Sequence, residues 1–256
     1  MKDRKNILII VLFIVLVILT IFVYINKSKS TIYLGYYTKV TIKDNKINVV
    51  KKNSKLNLTK AKIYFNDDFV DGYLKSSKSK QSNGVTLYNA YNEEGTILRF
   101  TNDLIAYTGK SSIKIANANI LNKPINKDLS IITDFLNGEN GNGISLDYSY
   151  DYEDYKKIIY DFDNDGENET IYSLDIIEGS TTEYTYVFLV DGEKIELIDS
   201  KKGEITKPDL KKISFFNLID FNGDGKYEIV LKLSTGDYGY NYYKIYSYDN
   251  KVKEIE

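Results

Sequence analysis

The chain contains no Cys and no His in its 256 residues. Thiolate nucleophiles, disulfide staples, imidazole bases and the usual zinc and iron ligand sets are therefore all excluded. Trp is also absent and Ala is scarce, which disfavours long soluble helices. No nucleophile elbow, phosphate-binding loop or other catalytic signature occurs, so an enzyme is not expected. What is present instead is 24 Tyr and 11 Phe, with abundant Ile, Val and Thr between Asn, Asp and Gly turn signals. That composition favours strands and predicts a mainly β protein.

The net charge of −2 conceals two unlike halves. Residues 1–133 carry 21 Lys+Arg against 9 Asp+Glu, and residues 134–256 carry 13 against 27. A basic half suits an anionic neighbour and an acidic half gathers cations, although two solvated faces would give the same totals.

Residues 7–25 read ILIIVLFIVLVILTIFVYI, a run free of charge and interrupted only by Thr20 and Tyr24 as polar residues. As a helix it spans roughly 28 Å, close to the thickness of a bilayer's hydrocarbon core. Lys2, Arg4 and Lys5 precede it, which predicts a cytoplasmic head at 1–6, a single transmembrane anchor at 7–25 and an ectodomain outside the cell. A cleaved signal peptide is the nearest rival, but residues 26–30 lack an A-x-A-like site. Without Cys, a lipoprotein is excluded.

Beyond the anchor, residues 31–122 read as a basic β-rich module. A hairpin is expected over 31–50 with Asp44-Asn45 at its turn, followed by strands near 62–65, 85–91, 96–100, 104–107 and 112–115. Residues 75–84 (KSSKSKQSNG) have the composition of a loop. Leu129, Ile132, Phe135 and Leu136 share one helical face, so a short helix over 128–136 ending at Gly138 is expected, within a linker spanning 123–143.

Residues 144–256 form an acidic module with an internal repeat. Asp161-x-Asp163-x-Asp165-Gly166-x-x-Glu169 returns, offset by 59 residues from Asp161 to Asp220, as Asp220-x-Asn222-x-Asp224-Gly225-x-x-Glu228. Each copy leads into an alternating apolar strand and a hairpin, at Asp191-Gly192 and at Asp249-Asn250. Oxygen ligands at loop positions 1, 3 and 5, with a turning Gly at 6 and a carbonyl at 7, are how a calcium loop wraps a hard cation. An EF-hand would need Glu at position 12, where Tyr172 and Leu231 stand, and helices on both sides. An exposed Asp/Asn/Gly-rich turn without metal is the plainer reading, and the duplication of the full ligand set weighs against it.

This pattern resembles the calcium loop of FG-GAP and VCBS-type repeats of bacterial surface proteins, over roughly residues 155–256. Both loops have Glu at position 9 where the family usually has Asp, and only two copies are evident. The resemblance implies propeller-blade-like antiparallel repeats. It also implies one Ca2+ held by Asp161, Asp163, Asp165, Glu169 and the carbonyl of Glu167, and a second by Asp220, Asn222, Asp224, Glu228 and the carbonyl of Lys226. The functional expectation is a membrane-anchored, calcium-binding surface or adhesion module. Its expected partners are an anionic envelope polymer, a glycan or a surface protein, and not nucleic acid. A carboxylate-based envelope glycosidase and a purely structural envelope protein are the competing readings.

Overall fold

The structure is a computed structural model that describes residues 30–35, 38–50, 55–78, 86–98, 103–109, 113–138, 150–178, 182–204, 211–235 and 241–256. The predicted head and anchor, residues 1–25, lie outside the described residues. Among the described residues no helix is long and apolar enough to cross a membrane.

The chain is mainly β, in antiparallel sheets, with one short helix among the described residues. The first sheet contains β1 (Ser30–Leu34), β2 (Thr38–Lys43), β3 (Lys46–Val50), β4 (Thr59–Phe65), β5 (Asp68–Lys78), β6 (Thr86–Asn92), β7 (Ile97–Leu98) and β8 (Ile105–Thr108). Its strand order is β3-β2-β1-β8-β4-β5-β6-β7. The predicted 31–50 hairpin forms, with Ile42 opposite Ile47 and the turn residues Asp44 and Asn45 at φ 52° and 58°. Short polar side chains tolerate this left-handed backbone, which matches the twist of a two-residue hairpin. Asn66 and Asp67 make the same turn between β4 and β5.

One expectation fails in this sheet. Residues 75–78, part of the predicted loop, complete β5, because β6 supplies partners along its length, with Ser76 opposite Tyr88. Ser76 is further tied to Leu56, whose N–H donates to its Oγ at 2.7 Å. Strand pairing on a neighbour outweighs a weak local propensity.

The second half of the chain forms two four-stranded meanders. The first is β11 (Tyr150–Tyr160), β12 (Glu169–Glu178), β13 (Thr182–Asp191) and β14 (Lys194–Glu204). The second is β15 (Lys211–Asp220), β16 (Glu228–Thr235), β17 (Asn241–Tyr248) and β18 (Val252–Ile255). Each gains a fifth strand from the basic segment. β9 (Lys114–Ile115) pairs with β15, and β10 (Asn119–Leu121) pairs with β11. The end of the basic segment, through β9 and β10, is therefore shared by two sheets. The predicted helix is α1 (Asn126–Asn137), with Gly138 just beyond it.

The layers stack in order from α1 to the eight-stranded sheet. Ile132, Phe135 and Leu136 of α1 pack on Tyr172, Leu174 and Phe188 of the first meander. The opposite face of that meander, through Ile171, Val187 and Leu189, meets Phe215, Ile229 and Leu231 of the second. Val230 and Ile245 of the second meander then pack on Ile32, Leu34 and Val40 of the eight-stranded sheet. A strand covered on both faces reads as a continuous apolar run, which is why residues 229–231 are Ile-Val-Leu. The Tyr-rich segment 238–248 obeys the same rule. Tyr243, Tyr246 and Tyr248 are buried, Tyr242 is exposed, and residues 236–240 lie outside the described residues.

Candidate metal centre

Each meander places its acidic loop at the same corner, between its first and second strands. Loop 1 runs from the end of β11 to Glu169 at the start of β12, and loop 2 from the end of β15 to Glu228 at the start of β16. An apolar residue at position 2 pins each loop, since Phe162 and Phe221 are both almost wholly buried. Burying a Phe side chain contributes about 1.5–3 kcal/mol, so the loops are held to the core whether or not an ion is present.

The backbone path is the same in both. Gly166 and Gly225 at position 6 have φ 98° and 90°, as the motif requires, and position 4 is also left-handed, at φ 64° for Asn164 and 78° for Gly223. The position 1 carboxylate caps the turn. Asp161 accepts from the N–H groups of Asp165 and Gly166, both at 3.1 Å, and Asp220 from those of Gly223 at 2.6 Å and Gly225 at 3.2 Å. Position 5 accepts from the N–H of position 7, Asp165 from Glu167 and Asp224 from Lys226, each at 2.9 Å. The Glu169 and Glu228 carboxylates accept from the N–H of Phe162 and Phe221 at 3.1 and 3.2 Å. The side chains of Glu167 and Lys226 are exposed, and the Lys226 ammonium lies 3.7 Å from Asp249 and adds a favourable charge near Asp163.

The electrostatics differ. In loop 1 a carboxylate oxygen from each of Asp161, Asp163, Asp165 and Glu169 lies within 4.8 Å of all the others. Among the described residues no other group of three or more acids is gathered this way. Oδ1 of Asp163 is buried without a hydrogen-bond partner, a costly state for a carboxylate oxygen. Burial, then the charge of Asp165, hold the Asp163 carboxyl above its usual range. Burial, then Asp163, Asp161 and Asp165, push Glu169 up to about 7.

Loop 2 has an amide where loop 1 has Asp163. The Asn222 amide nitrogen donates to Asp224 Oδ2 at 2.9 Å and reaches the carbonyl of Asn45 in the β2–β3 turn at 3.4 Å. One loop carboxylate is thus supplied with a donor by the chain itself. Glu228 is nevertheless pushed up to about 8, mainly by burial and then by Asp224 and Asp220.

The two corners touch. The N–H of Tyr227 donates to the carbonyl of Phe162 at 2.7 Å, and the Tyr227 ring meets Tyr160 edge-on at 5.2 Å. Sequence reading singled out the residues of the two loops but not this junction. The only sign of it is that both loops have Tyr beside a terminal strand position, at 160 and 227. Comparison of the chain with protein-family models, with curated proteins and with solved structures gives no match.

Proposed function

We propose that the chain is a non-catalytic binding module anchored in the cytoplasmic membrane through residues 7–25, with its β-rich part outside the cell and stiffened by calcium. One observation carries the metal assignment: four acids converge in loop 1 and one of their oxygens, Asp163 Oδ1, is buried and unpartnered. The four loop 1 oxygens all lie within 4.8 Å of one another, close enough for one calcium ion with bonds of about 2.3–2.6 Å to reach them all. Magnesium needs a tighter shell and retains more water. Loop 2 is a second, weaker site.

A four-stranded meander with its acidic loop at a fixed corner, occurring twice and stacked face to face, supports the FG-GAP/VCBS-like reading and a propeller-blade-like arrangement. The basic half, next to the anchor, faces an anionic envelope polymer, glycan or surface protein. A glycosidase would need a facing pair of carboxylates outside the loops. The buried acids Asp175 and Glu183 instead share Lys212 as an ion-pair partner, which favours a structural role for them.

Isothermal titration of calcium into the full chain in detergent micelles tests the metal assignment, with one tighter and one weaker binding event expected. Absence of heat and of any change in melting temperature between chelator and millimolar calcium would overturn it. Protease added to intact cells should remove the ectodomain, and full protection in cells shown to admit the protease would reject the topology.

A further inference from the structure

We propose that the cleft between the β4–β5 hairpin and the edge strand β9 is a binding site for a neutral oligosaccharide; this rests on the reading of the chain as a binding module and gives that module a site. The cleft has a volume of about 580 Å³. That lies within the roughly 300–1,000 Å³ of small-ligand sites, which form preferentially where separate structural units meet. Here one wall belongs to the eight-stranded sheet and the other to the second meander.

The walls present three rings in fixed orientations. Tyr64 leans on Phe69 with centroids 5.2 Å apart, Phe69 is in turn met edge-on by Tyr107 at 5.2 Å, and Tyr227 is braced by Tyr160. Braced aromatic faces cost little entropy to use and attract the weakly positive C–H face of a pyranose ring. Around them stand exposed groups of both hydrogen-bonding kinds, acceptors on Asp67 and Asp68 and donors on Lys114 and Asn117. The backbone adds one of each. Ala116 donates to Leu218, so pairing alternation turns the N–H and C=O of Ile115 away from β15, at the edge where Ile115 lines the cleft.

Hydroxyl groups donate and accept at once, so a sugar satisfies this mixed rim, whereas a charged ligand meets a like charge in Lys114 or in the two Asp carboxylates. A peptide adding as a strand would need a longer edge. β9 is two residues long, well short of the about five or six of an ordinary strand. Tyr227 also ties the cleft to the metal corners. Its N–H is held by Phe162, whose own N–H is held by Glu169, and Glu228 follows it in the chain. Calcium that orders the loops therefore orders one wall of the cleft.

The test is titration of the full chain, in micelles with millimolar calcium, against neutral hexose and N-acetylhexosamine oligosaccharides from disaccharide to tetrasaccharide, read by saturation-transfer NMR and calorimetry. At least one member should bind. Tyr64→Ala and Tyr227→Ala should each weaken it by about 10-fold, the scale of one lost stacking contact, while Tyr242→Ala, an exposed ring elsewhere, leaves it unchanged. Should either ring variant fail to fold, the exposed rim change Asn117→Ala, read against an unchanged melting temperature, decides the same question. Binding by no member of the panel, binding that survives every cleft variant, or preference for a charged peptide would each overturn the site. Calcium binding without sugar binding removes the cleft and leaves the metal reading standing. Sugar binding undiminished by chelator keeps the cleft and removes its link to the loops.

Discussion

Loops 1 and 2 have one backbone and two electrostatic states. Both turn through left-handed residues at positions 4 and 6, both are pinned by a buried Phe, and both cap their turn with the first Asp. They part at position 3. Asp163 leaves a buried oxygen without a donor, while Asn222 gives its amide to Asp224. Geometry in this fold is thus supplied by glycines, short polar residues and apolar anchors, and whether the loop's buried oxygens find a donor is set separately by one side chain.

The largest expected effect is that of pH on the ion-free chain, which loads both corners. Glu169 and Glu228 are held at about 7 and about 8, above the ordinary 4.5, so the folded state binds protons that the unfolded state has released. Their contribution is fully present below pH 4.5 and is lost as pH rises through about 7 and then about 8. With solvent screening allowed for, the loss for the pair is on the order of 3 kcal/mol. Urea titrations in chelator across this window measure it. Glu169→Gln and Glu228→Gln should each flatten one part, and calcium should cancel the Glu169 part more completely than the Glu228 part.

Next in size is the calcium gain. At an ion concentration about 100 times the dissociation constant, linkage gives about 2.7 kcal/mol per site. Asp165→Ala should remove most of the calcium-dependent rise in melting temperature and Asp224→Ala only the smaller remainder. Equal losses would erase the distinction between the loops.

Exchanging position 3 sharpens the comparison further. Asn222→Asp should lower ion-free stability by about 1–2 kcal/mol, through the lost amide donor and an added like charge, and raise the calcium gain of loop 2. Asp163→Asn should do the reverse in loop 1. Denaturant midpoints with and without calcium read both. The smallest effect is reserved for Glu167→Ala and Lys226→Ala, whose exposed side chains act on the loops at most through screened charge. Each should change calcium-dependent stability by less than about 0.5 kcal/mol.

Much of this was legible in the sequence because it is local. The glycines at 166 and 225, the acids around them, the Asp44-Asn45 hairpin and the apolar face of α1 each declare themselves within a few residues. The left-handed bend at position 4, at Asn164 and Gly223, was not read from the sequence, because the loop pattern itself does not ask for it. What was hidden depends on stacking. Nothing near Tyr227 shows that its N–H meets Phe162, because that contact exists only once the meanders lie face to face. The strand at 75–78 was masked by Ser and Lys, which a neighbour such as β6 tolerates. Asp128 is another case. At the start of α1 it looks like an ordinary helix-capping acid, yet it is fully buried and joins Tyr172 and Lys157 of the first meander at 2.9 and 2.5 Å.

The placement of β9 and β10 bears on how the chain is made. Ile115 leaves the ribosome long before Ile219, its partner across the β9–β15 ladder, which is 104 residues further on, whereas Ile120 waits only 38 for Ile158. At about 5–20 residues per second, the first interval is roughly 5–20 s. During that time the apolar edge at 113–116 has no sheet to join and is a target for aggregation or for a holding chaperone. The β10 pairing and the first meander can assemble while that edge is still waiting, so the second meander closes on them after they have formed.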